Sequence, residues 1–280
     1  MTIIVRCFEC ESRYRVRDDR AGKRVKCRKC GTILLVPPLD EPPQSPDGTN
    51  IYRHEARDRD FELAVGNEKN IEAISNHIEE HLGEVDMVFH ELISDLVHID
   101  VHWVKPTSEH PFHTLVTSGM SDRPMTVPDE CLELRFAELM ITLPEDWKIS
   151  EEDFEDERWF WPVRQLKMLA RLPHEYETWL GMGHTVPNGD PAEPYAVNTK
   201  FCCSLIMVPP STPDEFDELE LDDGSTIHFY SVVPLYEEEM DFKLNKGLEA
   251  LIERFDKAGV SDHVDIDRPN TCRKKRFGLF

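Results

Sequence analysis

Four cysteines carry the clearest chemistry in the chain. Cys7-x-x-Cys10 and Cys27-x-x-Cys30-Gly31 stand sixteen residues apart. Two intervening residues let both thiolates of a tight knuckle reach one ion, and two knuckles complete a tetrahedral shell of zinc at about 2.3 Å per bond. Gly31 supplies the positive φ that a knuckle turn needs. The expectation is one structural zinc ion on Cys7, Cys10, Cys27 and Cys30. Two disulfides are the alternative, and they suit an exported chain. The first residues, Met1-Thr-Ile-Ile-Val-Arg-Cys7, hold no signal-peptide pattern, so reduced thiols and a cytoplasmic location are expected.

A second constellation is His98, Asp100 and His102, alternating with Val97, Ile99, Val101 and Trp103. Period two puts the three polar residues on one face of a strand, where two histidines could chelate a second metal and Asp100 could serve as ligand or base. That reading would make the chain a metal-dependent hydrolase. An ordinary half-buried strand with its polar face in water gives the same pattern. Gly181-Met-Gly183-His184-Thr185 lacks the Lys-Ser/Thr of a phosphate loop and reads as a structural turn, unless His184 lines a groove. Cys202 and Cys203 sit in the apolar run 201–208 and read as core. Ser118 and Ser121 lack the Gly-x-Ser-x-Gly elbow of a hydrolase, and Asp214–Gly224 has leucines where a calcium loop needs acids.

The elements that must position these groups follow from periodicity. Around the knuckles, 14–16 and 25–27 read as short strands joined at Ala21-Gly22-Lys23, with 32–36 as a third. Five prolines between Pro37 and Pro46 mark a linker. A helix is expected over 67–82, with Ile71, Ile74, Ile78 and Leu82 on one face. Strands are expected at 85–92, 96–104, 113–117, 135–143, 201–208 and 227–233. A helix from Pro162 to Leu172 follows the acidic run 151–157, with proline in its first turn. A long helix spans 236–256, with a Glu239–Lys243 pair. The fold class is α+β, a mixed sheet flanked by helices. Its divisions are a zinc ribbon (1–36), a linker (37–60), a main domain (61–260) and a basic tail (261–280).

Charge separates the two modules. The 280-residue chain carries −23, but residues 1–36 hold +6 and the remainder −29. The acidic body argues against a surface made for nucleic acid or anionic lipid and would draw a basic protein partner. The basic ribbon leaves nucleic-acid binding open, as a regulator would need. No apolar run has the roughly 18–20 residues of a membrane span.

Six ordered blocks of the body resemble the suppressor of fused family in its bacterial single-domain form. They are residues 97–106 (Val-His-Ile-Asp-Val-His-Trp-Val-Lys-Pro), 113–122, 137–144, 161–171, 181–185 and 233–239. The N-terminal 5–36 is similar to small bacterial zinc ribbons. The family resemblance implies a mixed sheet with helices and binding without catalysis. Animal members sequester a transcription factor, and bacterial members look like immunity proteins that neutralise toxins. It implies Trp161, Gly181, Gly183 and His184 as partner-binding candidates. Animal members also grip a peptide between this lobe and a second, C-terminal one, a mode not expected to transfer intact, and carry an acidic residue where Gly183 stands here.

Overall fold

A computed structural model describes residues 2–10, 12–17, 20–36, 42–55, 59–108 and 110–273. Residues 37–41 and 56–58 of the expected linker and 274–280 of the basic tail lie outside them. The chain divides into a smaller unit, Met1–His54 with Asp241–Leu251, and a larger one, Glu55–Met240 with Ile252–Phe280.

The smaller unit is built on two antiparallel hairpins, β1 (Thr2–Arg6) with β2 (Arg13–Arg17) and β3 (Arg24–Lys26) with β4 (Ile33–Leu35). Each hairpin closes over its own cysteine knuckle. The pairing therefore differs from the expected hairpin across Ala21–Lys23, and Thr2–Arg6 is a strand the reading passed over. Among the described residues, Val5, Cys7, Cys27, Leu34 and Val36 form its buried cluster. The middle of the expected linker is folded: Ser45 N–H donates to Thr49 O at 2.8 Å, and Asp47 Oδ1 accepts from Thr49 N at 3.2 Å. Asp47 N–H reaches Leu244 O at 3.4 Å, and the smaller unit extends to His54.

In the larger unit, α1 (Glu68–His81) starts where Asn67 Oδ1 accepts from Lys69 N, within a residue of the expected helix. A short ladder joins β5 (Leu63–Ala64) to β7 (Ser94–Asp95). The main sheet has eight strands. They are β6 (Val85–Phe89), β8 (Asp100–Val104), β9 (Phe112–Ser118), β10 (Ala137–Pro144), β11 (Thr185–Pro187), β12 (Cys203–Met207), β13 (Glu218–Glu220) and β14 (Thr226–Leu235), ordered β11-β12-β14-β10-β9-β8-β6 with β13 on β14. The β10–β14 pair is parallel and the others are antiparallel, the expected mixed sheet.

Two helices cover the sheet, one on each face. Ile74 and Ile78 of α1 pack with Val104, Val116 and Met140. On the other face α2 (Glu157–Tyr176) sets Trp161, Leu166 and Leu169 against Val101, Leu115, Leu139 and Ile141. Coverage on both sides is why every residue of β8 is buried, against the expected half-wet strand. Helix α2 begins at Glu157, five residues before Pro162, with Asp156 as its N-cap. Pro162 thus lies inside it and cannot donate to Arg158 O, and Asn198 Nδ2 donates there instead at 3.2 Å. The expected C-terminal helix is two, α3 (Glu237–Lys246) and α4 (Leu248–Ala258), parted at Gly247 with φ +90°. Residues 261–273, expected as tail, are partly buried at Asp262, Val264 and Arg268. There Arg268 grips Glu239 in a bidentate pair at 2.6 and 2.7 Å.

Candidate functional site

The knuckles bring four sulfurs together. Cys7 Sγ lies 3.4 Å from Cys30 Sγ and Cys10 Sγ 3.5 Å from Cys27 Sγ, and all four Sγ atoms fall within 4.8 Å of one another. A disulfide needs about 2.05 Å, whereas sulfurs around tetrahedral zinc stand about 3.8 Å apart. The set fits an ion. No disulfide joins any two of the described cysteines. Gly31, at φ +78°, donates its N–H to Cys27 O at 2.9 Å to close the second knuckle. Burial opposes ionisation of Cys27, but Tyr14 Oη at 2.9 Å and the backbone amides of Cys30 and Lys29 outweigh it and bring the thiol down to about 5. Burial dominates at Cys7 and pushes it up to about 11.

The strand constellation is assembled differently from its sequence pattern. His98 precedes β8, and its ring meets Asp100: Nε2 lies 3.0 Å from Oδ1. His102 is not the third member. Its Nε2 pairs with Ser118 Oγ at 2.9 Å, it is 1% exposed, and burial pushes its pKa down to about 4. The third member is His90, whose Nδ1 lies 2.8 Å from Asp100 Oδ2. His90, His98 and Asp100 place one ligand atom each within 4.8 Å of the others. His102 and Ser118 have the spacing of a base and a nucleophile, yet both are sealed and His102 Nδ1 has no hydrogen-bond partner to orient it.

The backbone behind this cluster is held by a buried carboxylate that sequence reasoning missed. Glu138 in β10 is wholly buried, and its Oε1 accepts from Gly119 N, Ser121 N and Ser121 Oγ at 2.7–2.9 Å while Thr117 Oγ1 donates to Oε2 at 2.6 Å. Burial pushes its pKa up to about 7 against these donors. The caged loop presses on the His98 backbone: a Cβ at Gly119, φ +104°, would lie 1.8 Å from His98 O. One acid inside the apolar run Ala-Glu-Leu-Met-Ile was the available signal.

The partner-binding candidates divide. Trp161 is completely buried, stacked on Tyr195 with centroids 5.2 Å apart, and offers no surface. Gly183, at φ +84°, donates to Ile206 O at 2.7 Å, and His184 O accepts from Ile206 N at 2.9 Å, so the loop is sewn to β12 by its backbone. His184 packs edge-on against Trp179 at 4.4 Å, and a Cβ at Gly181 would meet the Trp179 ring at 2.7 Å. The structural reading of these glycines fits both contacts. Cys202 and Cys203 are buried, as expected of core. Among the described residues no helix is long and apolar enough to cross a membrane.

The family model described as Suppressor of fused protein (SUFU) matches residues 95–269. No curated protein matches the chain. Among solved structures, a SUFU (suppressor of fused protein) homologue from Neisseria gonorrhoeae FA 1090 is 21% identical, with a TM-score of 0.55 over 74% of this chain and 100% of that one. A chain of the Sufu–Fu complex is 13% identical, with a TM-score of 0.52 over 72% of this chain and 92% of its own length. Drosophila Suppressor of Fused is 13% identical at a TM-score of 0.48, and this chain covers 50% of it. The first two share the fold, and the family match takes in more than half of the sequence: the chain belongs to the suppressor of fused family.

Proposed function

We propose that the chain is a non-catalytic protein-binding module that neutralises or sequesters a protein partner by direct contact, with a basic toxin as that partner, in the manner of an immunity protein. The family match over residues 95–269 carries this reading, and a family relative occurs in a complex, Sufu–Fu. Two features of the chain support it. The part beyond residue 36 holds −29, which would steer a basic partner. Phe61, Leu63, Val65, Leu92 and Ile93 are all more than half exposed at or beside the β5–β7 ladder, an apolar group of the kind that marks protein contacts. The sealed His102–Ser118 pair argues for binding over turnover. One zinc ion on Cys7, Cys10, Cys27 and Cys30 completes the proposal, as the metal that folds the ribbon.

The test is affinity capture with the full chain from its native extract, followed by reconstitution with the purified partner. The expected result is a basic protein whose toxicity the full chain relieves. Its association should slow steeply between about 50 and 500 mM salt, as the Debye length shrinks from roughly 14 to 4 Å, and dissociation should change little. Specific capture of nucleic acid alone, lost when residues 1–36 are removed, would replace this reading with a ribbon-led regulator.

A further inference from the structure

Asp100 is a buried carboxylate, 2% exposed, and an imidazole nitrogen faces each of its oxygens. The tautomer of His98 is fixed from the far side of its ring. Arg171 Nη2 pairs with both oxygens of the Glu91 carboxylate at 2.7–2.8 Å, and Ser94 Oγ lies 2.6 Å from Glu91 Oε2. A carboxylate only accepts, so the Ser94 hydroxyl donates to Glu91 and in turn accepts from His98 Nδ1–H at 2.8 Å. In neutral His98 the Nε2 lone pair then faces Asp100 Oδ1, which already accepts from Glu91 N–H at 3.1 Å. Lone pair against carboxylate repels unless a cation lies between them. A proton can fill that place, and so can a metal ion. A polar chain behind the imidazole, here Ser94 and Glu91, is what orients metal-ligating histidines.

The geometry points to a metal site. We propose that His90 Nδ1, His98 Nε2 and Asp100 bind one divalent ion of the zinc class, with water completing the shell. Nitrogen and oxygen ligands of tetrahedral zinc stand about 3.3 Å apart, and the pairs here lie at 2.8 and 3.0 Å. The site therefore needs to open only slightly, and the His90 side chain is 65% exposed and able to move. Solvent has a second approach, because His98 also lines a groove of about 210 Å³ with Val65, Asn67, Asp122 and Arg123. Two imidazoles with one carboxylate suit zinc, iron or cobalt better than calcium or magnesium, which take oxygen. This site is independent of the cysteine cluster and of the proposed partner.

The test is metal content of the full chain after zinc loading and desalting, measured by mass spectrometry beside His90→Ala. Wild type should hold two zinc ions, and His90→Ala one fewer, with its fold intact because His90 is a surface residue. In cobalt-loaded protein the thiolate charge-transfer band reports the cysteines alone, and it should be the same in both proteins. Ser94→Ala should weaken the His90 equivalent by about 10–100-fold by releasing the His98 tautomer. A His90→Ala protein that binds as many ions as wild type overturns the proposal and leaves the cluster bridged by protons.

Discussion

The two candidate cation sites of this chain rest on opposite foundations. The cysteine ribbon has a small buried cluster of Val5, Leu34, Val36, Cys7 and Cys27, against which Ile3, Cys10, Tyr14, Val16 and Val25 are only partly buried. The histidine–aspartate cluster lies at the end of a sheet covered by helices on both faces. Where apolar burial is scarce, the ligands must be close in sequence and the ion must supply the folding energy. Where burial is ample, the fold exists first and ligands can come from distant loops. Loss of the metal should therefore erase structure in one unit and leave it intact in the other.

The largest effect is expected at the ribbon. Structural zinc contributes about 10–16 kcal/mol to small domains at neutral pH, more than a core of three aliphatic side chains can replace. Cys27→Ala should lose the ion and, with it, amide protection over residues 2–36. The denaturation midpoint of the sheet should hold. Hydrogen exchange read by mass spectrometry checks both halves at once. Protection of 2–36 that survives both the substitution and chelation would break the comparison.

Within the sheet, the same contrast predicts a pH effect of intermediate size. Glu138 keeps its proton up to about 7 when folded, against an ordinary value of 4.5. The folded state therefore binds this proton more tightly than the unfolded chain. Its contribution is full below about pH 4.5, declines as pH rises through 7 and is level above that, on the order of 3 kcal/mol across the window. Urea midpoints between pH 4.5 and 8 should show this decline in wild type and lose it in Glu138→Gln. A wild-type profile that instead rises, with the rise abolished by the substitution, would mean that the four donors hold an ionised carboxylate.

These contrasts also explain what could be read beforehand. The cysteine set was legible because four ligands fall on two local turns, and local spacing fixes their geometry. The second set was half legible. Strand alternation pointed to His98, Asp100 and His102, but β8 begins only at Asp100, so His98 does not obey its period. His90 comes from the loop after β6, and a left-handed Leu96 at φ 66° lies on the path back to the strand. No spacing rule carries that return. The helices were legible by face, but Gly247 was a stop signal overlooked because the apolar stripe continues on either side of it. Pro162 misled for a different reason: the donor that makes it tolerable, Asn198, lies thirty-six residues further along the chain.

The smallest effect on stability is expected where the larger unit has apolar side chains to spare. Leu92 is 99% and Ile93 76% exposed, so neither holds the sheet together. Leu92→Asp and Ile93→Asp should each shift stability by no more than about 0.5 kcal/mol. If the β5–β7 ladder is the docking surface, each should still weaken partner binding by roughly 5–30-fold, the 1–2 kcal/mol of a contact residue near an interface centre. Val197, 94% exposed between β11 and β12, provides the control. An aspartate there adds the same charge on the same acidic body but should leave affinity within about twofold, because general charge steering favours a basic partner. Calorimetric titration of the three variants with the captured partner separates the outcomes. Equal losses at Val197 and at the ladder would mean that the exposed apolar group plays no special part and that the contact lies elsewhere on the unit.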